Sequence, residues 1–365
     1  MIIGVPKETK NNENRVALTP VETKKLVAQG HSVYIQKDAG LGAGFDDNSY
    51  KQAGASLKSD SEEVWSAQLI LKVKEPIESE YKYFRKDMIL FTYLHLAANK
   101  QLTQELIHSG VTAIAYEMVK STDGKFPLLA PMSEVAGRLG GLFAAEMLAK
   151  ESGKLISGVV GVEKARATVI GGGIAGTNAA QILAGLNADV TILDTNLERL
   201  RYLEEVLPTV KTLFSTDETV KASLMESDIV IGSVLIPGKS APHIVSEELV
   251  KKLRKGTVLV DIAIDQGGCF ETSRPTTHDN PTFEKHGVIH YSVANMPGIV
   301  PKTATIALTN TTSKYILGLA NNELHEVIQK MPELVPAVST YKGHLTCQSV
   351  AESLLIDVTK MTELL

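Results

Sequence analysis

A chain of 365 residues is long enough for two domains at roughly 100–200 residues each. Apolar residues make up 44% and charged residues 22%, the balance of a globular protein with substantial cores. The net charge of −5 leaves no electrostatic footprint for nucleic acid or for an anionic membrane surface. Cys269 and Cys347 are the only cysteines; they make no disulfide framework and have no zinc spacing, so no metal is expected. The opening MIIGVPKETK lacks the basic-then-apolar pattern of a signal peptide, and no apolar run reaches the roughly 18–20 residues of a membrane span. A reducing cytoplasm is the expected setting.

Short apolar stretches then alternate with longer helix-like ones, which predicts βαβ units and a parallel sheet. The first strand signal is Ile2 to Val5, followed by a polar loop that holds Arg15. A surface pair with Glu8 or Glu13 competes there with a role in binding. Thr19 as N-cap and Pro20 at the first helical position start a helix that runs to Gly30, a C′ stop. Further strand signals lie at Val33 to Ile35 and at Leu69 to Leu71. The latter continues as LILKVKEP, with Lys72 and Lys74 on one face because strand side chains alternate. Such lysines either guard an edge as solvated cations or aim at an anion. Lys74, at the carboxyl end before the Glu75-Pro76 stop, is the candidate; Lys72 reads as solvated. The signal at Met88 to Phe91 leads to His95, either a satisfied histidine near the core or an acid–base group. A strand at Val111 to Ile114 follows. Ser133 is the candidate N-cap of a long Ala-, Leu- and Gly-rich connecting helix.

A second series has strand signals at Thr168 to Ile170, Asp189 to Leu193, Asp228 to Ile231, Val258 to Ile262 and Val288 to Tyr291. Several are continuous apolar runs, as expected when both sheet faces are covered. Between the first two, Gly171, Gly173 and Gly176 match GxGxxG. Their jobs are a tight turn, backbone approach to a pyrophosphate and close helix packing. The helix N-terminus adds free N–H groups for that phosphate. Asp194 ends the next strand eighteen residues past Gly176, where a carboxylate bonds ribose hydroxyls and repels a 2′-phosphate. This predicts NAD over NADP, with Arg199 pulling the other way. A glycine turn that only packs a helix is the competing reading, and the full strand–glycine–helix–strand–acid context favours the dinucleotide.

Ligands of open parallel sheets sit beyond the carboxyl ends of the strands. The second series ends there on Ser233 and Val234, on Asp265 before a glycine pair, and on Asn295. Asp265 could instead cap a turn with Gly267. Cys269 reads as packing and His278 as part of an irregular polar loop. Another long helix follows Pro301. The fold class is therefore α/β: two Rossmann-like doubly wound parallel-sheet domains joined by long helices. Residues 1–130 with 303–365 are assigned to a substrate (catalytic) domain, and 131–302 to an inserted NAD-binding domain with its connecting helix. A cleft between two such domains is the expected ligand site.

GVPKETKNNENRVALTP, LKVKEP, LHLAA, LLAPMSEVAGR, DIAIDQGGCFETSRPTTHDNPTF and VANMPGIVPKTAT together resemble the alanine dehydrogenase family over nearly the whole chain. The resemblance implies reversible oxidative deamination of L-alanine to pyruvate and ammonium, with NAD as hydride acceptor. Carried over by motif, Arg15 and Lys74 would bind substrate, and His95 and Asp265 would be the acid–base pair. The NAD site would be lined by Ser133, Gly171, Gly173, Gly176, Asp194, Arg199, Ser215, Val234, Leu235, Ile262, Ala263, Ile264, Asp265, Val293, Ala294, Asn295 and Met296. Arg199 stands where the family pattern often has lysine. The resemblance also implies a homo-oligomer, often a hexamer. Three alternatives remain: a soluble NAD-binding subunit of a proton-translocating transhydrogenase, a dehydrogenase for another small amino acid or 2-hydroxy acid, and a non-catalytic NAD sensor.

Overall fold

Six strands come first: β1 (Ile2–Val5), β2 (Ser32–Gln36), β3 (Ser56–Lys58), β4 (Leu69–Leu71), β5 (Ile89–Thr92) and β6 (Thr112–Ala115). They pair in parallel in the order β3-β2-β1-β4-β5-β6. β4 and β6 are buried along their whole length, which is why they read as unbroken apolar runs. Then follow β7 (Arg166–Ile170), β8 (Asp189–Asp194), β9 (Lys211–Phe214), β10 (Ile229–Gly232), β11 (Val258–Asp261), β12 (Thr282–Lys285) and β13 (Val288–Tyr291). Six of these repeat the same parallel order, β9-β8-β7-β10-β11-β13, with β12 antiparallel on β13 at the edge. Finally β14 (Val338–Tyr341) returns to pair antiparallel with β6, and β15 (His344–Leu345) pairs with β14. Both sheets are thus doubly wound and parallel-dominated, with antiparallel strands at one edge.

This computed structural model describes residues 1–235 and 241–364. The chain divides into two compact units. The first is built from Met1–Met132 and Gly298–Leu365, and the second falls between Ser133 and Pro297. In the first, Leu90, Leu94, Leu102, Leu106 and Ala113 pack with Leu345 and Val350 from the returning chain. In the second, Ile170, Leu193, Val230, Leu259 and Val288 join the β-strand faces to Val220 and Leu224 of the helix Asp217–Glu226.

Local signals account for the helix ends. In the helix Pro20–Ala28, the Thr19 hydroxyl accepts the Glu22 N–H, and Gly30 follows with φ +86°. The long connecting helix spans Ala130–Ser152, so Ser133 is not its N-cap but lies inside its first turn. Pro131 explains the difference: near the helix start its missing N–H costs nothing. β4 also ends sooner than LILKVKEP suggests. The Val73 N–H leaves the ladder and donates to Glu8 Oε1 at 2.6 Å, and the chain bends at Val73 and Lys74. Among the described residues, no helix is long and apolar enough to cross a membrane.

Candidate active site

The first unit reverses its strand order between β1 and β4, and a doubly wound sheet binds ligands at such a switch point. The loop after β1 carries Glu8, Glu13 and Arg15, and the turn after β4 carries Lys72 and Lys74. Arg15 is 2% exposed. Its Nε and Nη2 donate to the two oxygens of Glu13 at 2.7 and 2.5 Å, and Nη1 reaches Met132 Sδ at 3.1 Å. The Glu13 pairing is therefore real but buried, not a surface contact. Burial alone would lower the Arg15 guanidinium, and Glu13 outweighs that and holds it above its ordinary value.

Lys72 overturns its solvated reading. It is 1% exposed, and its Nζ donates to Glu8 at 3.0 Å and Glu80 at 3.1 Å. Burial alone would lower this ammonium, and the two carboxylates hold it above its ordinary value. Lys74 is also buried, at 7% exposure. The Thr92 hydroxyl donates to its carbonyl at 3.1 Å. Among the described residues its ammonium makes no hydrogen bond or ion pair, and the Glu75 carboxylate is its neighbour in sequence.

His95 follows β5 in the left-handed region, at φ +48°. That conformation is uncommon for a side chain of this size and is held by its surroundings. The Glu117 carboxylate accepts the His95 N–H at 2.7 Å and the Leu94 N–H at 3.2 Å. His95 Nδ1 lies 4.0 Å from Glu117 Oε1, and the ring stacks parallel to Tyr93. Thus the first unit brings Arg15, Lys74 and His95 to the carboxyl ends of neighbouring strands.

The second unit reverses its strand order between β7 and β10. Gly171, just past β7, has φ +95°, which only glycine adopts readily. A Cβ on Gly176 would stand 1.9 Å from the Gly171 carbonyl oxygen, so the helix Ile174–Gly185 can start this close only with glycine there. Gly173 is that helix's N-cap and has no side-chain cap; a Cβ on it would meet nothing within 4 Å. The described residues thus leave room beside Gly173 at the start of this helix, where uncapped N–H groups suit a pyrophosphate. Asp194 Oδ2 accepts the Gly172 N–H at 2.7 Å and Oδ1 accepts the Asn196 N–H at 2.8 Å, leaving lone pairs for ribose hydroxyls. Arg199 braces the loop: Nε donates to the Gly172 carbonyl and Nη2 to the Thr177 hydroxyl at 2.8 Å. The Ser215 N–H donates to the Asp194 carbonyl, so Ser215 stands beside the acid. Val234 and Leu235 follow β10, and Gly171 closely approaches Val234 Cγ2.

Asp265 is exposed in the short turn Ile264–Gln266 that follows β11, and Gly267 after it has φ +108°. Both Asp265 oxygens receive the Asn295 N–H, at 3.1 and 3.2 Å. Asn295 is itself left-handed, at φ +58°, so Asp265 and the Val293, Ala294, Asn295, Met296 segment form one cluster. The Ile262 N–H donates to the Gly232 carbonyl, and Ala263 and Ile264 are buried behind it. Ser133 is half-buried on the connecting helix. Cys269 is buried with its thiol pushed up to about 12, chiefly by desolvation, so it is inert packing.

Four acids escape a reading of strand ends: Glu8, Glu13, Glu117 and Asp261. Asp261 is fully buried and accepts the Ala263, Cys269 and Phe270 N–H groups and the Ser273 hydroxyl. It wraps the 262–273 loop around one carboxylate. The sequence signal was an acid closing the apolar run VLVD.

The alanine dehydrogenase/PNT N-terminal domain model matches residues 4–136, and the C-terminal domain model matches 140–348. An alanine dehydrogenase of Bacillus subtilis is 52% identical over 97% of this chain and 95% of its own length. A solved L-alanine dehydrogenase superposes with a TM-score of 0.92 at 45% identity, covering 97% of this chain and 99% of that one. A transhydrogenase from Sinorhizobium meliloti superposes with a TM-score of 0.80 at 26% identity, over 96% and 100%.

Proposed function

This chain belongs to the alanine dehydrogenase/PNT family, and from that premise we propose that it catalyses reversible, NAD-dependent oxidative deamination of L-alanine to pyruvate and ammonium. The observation that carries the substrate half is the buried Lys74 ammonium, which makes no hydrogen bond among the described residues, at the switch point of the first sheet. The α-carboxylate of a small acid pairs with that ammonium. Arg15, in the loop after the neighbouring β1, adds a guanidinium oriented by Glu13.

NAD, when bound, supplies the acceptor for the Cα hydride. The Gly171, Gly173 and Gly176 loop would hold its pyrophosphate, and Asp194 its adenosine ribose. Ser133, Arg199, Ser215, Val234, Leu235, Ile262, Ala263, Ile264, Val293, Ala294, Asn295 and Met296 complete the assigned lining. The remaining chemistry is proton transfer. Once the α-ammonium has given up a proton, loss of hydride leaves an iminium; water adds to its carbon, a proton passes from that oxygen to the nitrogen, and ammonia departs to give pyruvate. His95 takes and returns protons at the substrate nitrogen and oxygen, since imidazole serves as donor and acceptor near neutrality. Asp265 orients the attacking water and offsets the developing cation. Glu117 holds His95 by its backbone and keeps a carboxylate 4.0 Å from the ring.

Oxidation of NADH by pyruvate plus ammonium tests the reading, with other 2-oxo acids and an ammonium-free control alongside. Turnover with pyruvate that requires ammonium is the expected result. His95→Ala and Asp265→Asn each cut turnover by roughly 10²-fold while NADH still binds. Absence of pyruvate turnover would return the chain to the transhydrogenase reading. The likeness to the Sinorhizobium meliloti protein supports that alternative, but exchange between two nucleotides has no use for Lys74. A cytoplasmic homohexamer completes the proposal. It rests on the family resemblance, and light scattering of the purified protein checks the mass.

A further inference from the structure

The scheme above assigns cations to the substrate's carboxylate but no group to its ammonium. Glu75, next to Lys74, supplies one. Its Oε1 accepts from Lys10 Nζ, which ties the turn after β4 to the loop after β1. Its Oε2 is buried and has no hydrogen-bond partner among the described residues. Burial pushes this carboxyl up, but Lys74, His95 and Lys10 outweigh it and hold it below its ordinary value, so it is an anion at neutral pH. Glu75 adjoins Lys74 in the turn after β4, and β4 pairs with β5, the strand that leads to His95, so its carboxylate belongs to the same end of the sheet as the two groups proposed for substrate binding and proton transfer.

Among the described residues, consecutive side chains thus present an ammonium that makes no hydrogen bond and a carboxylate oxygen without a donor. Lys72 shows what a purely structural charge looks like in this unit: both of its carboxylate partners are in place. Buried polar atoms normally find partners, and a zwitterion with ammonium and carboxylate on one carbon supplies both. We propose that Glu75 Oε2 receives the ammonium group of L-alanine and, in the reverse reaction, the incoming ammonium. Glu75 is then a specificity-determining residue that favours amino acids over 2-hydroxy acids, whose hydroxyl brings no charge. This inference rests on the alanine reading above.

The test is steady-state reductive amination by the full chain, with ammonium varied at saturating NADH and pyruvate and ionic strength held by sodium chloride. In Glu75→Gln the KM for ammonium rises by roughly tenfold or more. The KM for pyruvate and the NADH dissociation constant, read by fluorescence titration, stay within about twofold. Glu75→Asp, which keeps the charge on a shorter arm, recovers part of the loss. An unchanged ammonium KM in Glu75→Gln overturns the proposal, as do equal rises for ammonium and pyruvate. If Glu75→Gln loses NADH binding, Glu75→Asp decides: a raised ammonium KM supports the assignment and an unchanged one overturns it. No turnover by the unsubstituted chain overturns the alanine reading itself, and this one with it.

Discussion

Lys72 and Lys74 stand two residues apart and meet opposite fates. Lys72 is neutralised by Glu8 and Glu80, and Lys74 is buried with no hydrogen bond to its ammonium among the described residues. Substitution should separate them. Lys74→Met raises the KM for pyruvate by roughly 10- to 100-fold, the worth of a hydrogen bond to a charge, and leaves the unfolding midpoint nearly unchanged. Lys72→Met strands two buried carboxylates, so it should cost about 3–5 kcal/mol in chemical denaturation. The reverse pattern would exchange their roles. His290 allows a second test at this scale. It is fully buried, stacked on Phe283 and hydrogen-bonded to Thr272, and burial lowers its imidazole from 6.5 to about 4. At pH values above 6.5 folded and unfolded chains are both neutral there. Between pH 6.5 and 4 the unfolded chain takes up a proton that the folded chain refuses, so stability falls as pH falls and levels off below 4. The loss is on the order of 3 kcal/mol. Calorimetric melting across this window should show a steeper decline for the native chain than for His290→Gln; equal slopes would assign the titration elsewhere.

Elements were legible where a local signal was complete. Thr19-Pro20 and Gly30 bracket a helix because a hydroxyl, a missing N–H and a left-handed residue act within one turn. The glycine motif was legible for the same reason, and it makes a prediction with two arms. Gly173→Ala adds a methyl into open space, so the melting temperature holds while NADH binding weakens by roughly tenfold or more. Gly176→Ala drives a methyl against the Gly171 carbonyl, so the fold itself loses several kcal/mol, on the order of an overpacked core. Thermal unfolding with and without NADH distinguishes the two; equal stability losses would mean that the loop only packs. Elements were misread where a distant residue intervened. The Lys72 and Lys74 segment alternates like a strand, but Glu8 takes the Val73 N–H and ends the ladder. Ser133 is a different case, a local one: it reads as a cap, but Pro131, two positions earlier, has already begun the helix.

At the scale of the molecule, each unit reverses its strand order once, and the candidate residues gather beside those reversals. The second unit falls between Ser133 and Pro297 and has its own core, so a fragment of residues 133–297 is expected to fold and bind NADH. Loss of NADH binding by a folded fragment, checked by circular dichroism, would sink that expectation. The first unit has no such independence, because β14 pairs with β6 across more than 220 residues of chain. The sequence by itself determined the α/β class, the glycine loop with Asp194, and the polar residues that close apolar strands. Those features depend on side-chain alternation, turn chemistry and spacing within about 30 residues, which a linear reading contains. Only the tertiary structure decided the strand order, the antiparallel edges and the fates of the charges. Glu8 meets Lys72 across 64 positions and Glu117 meets His95 across 22, and a buried charge takes its character from whichever partner the fold brings to it.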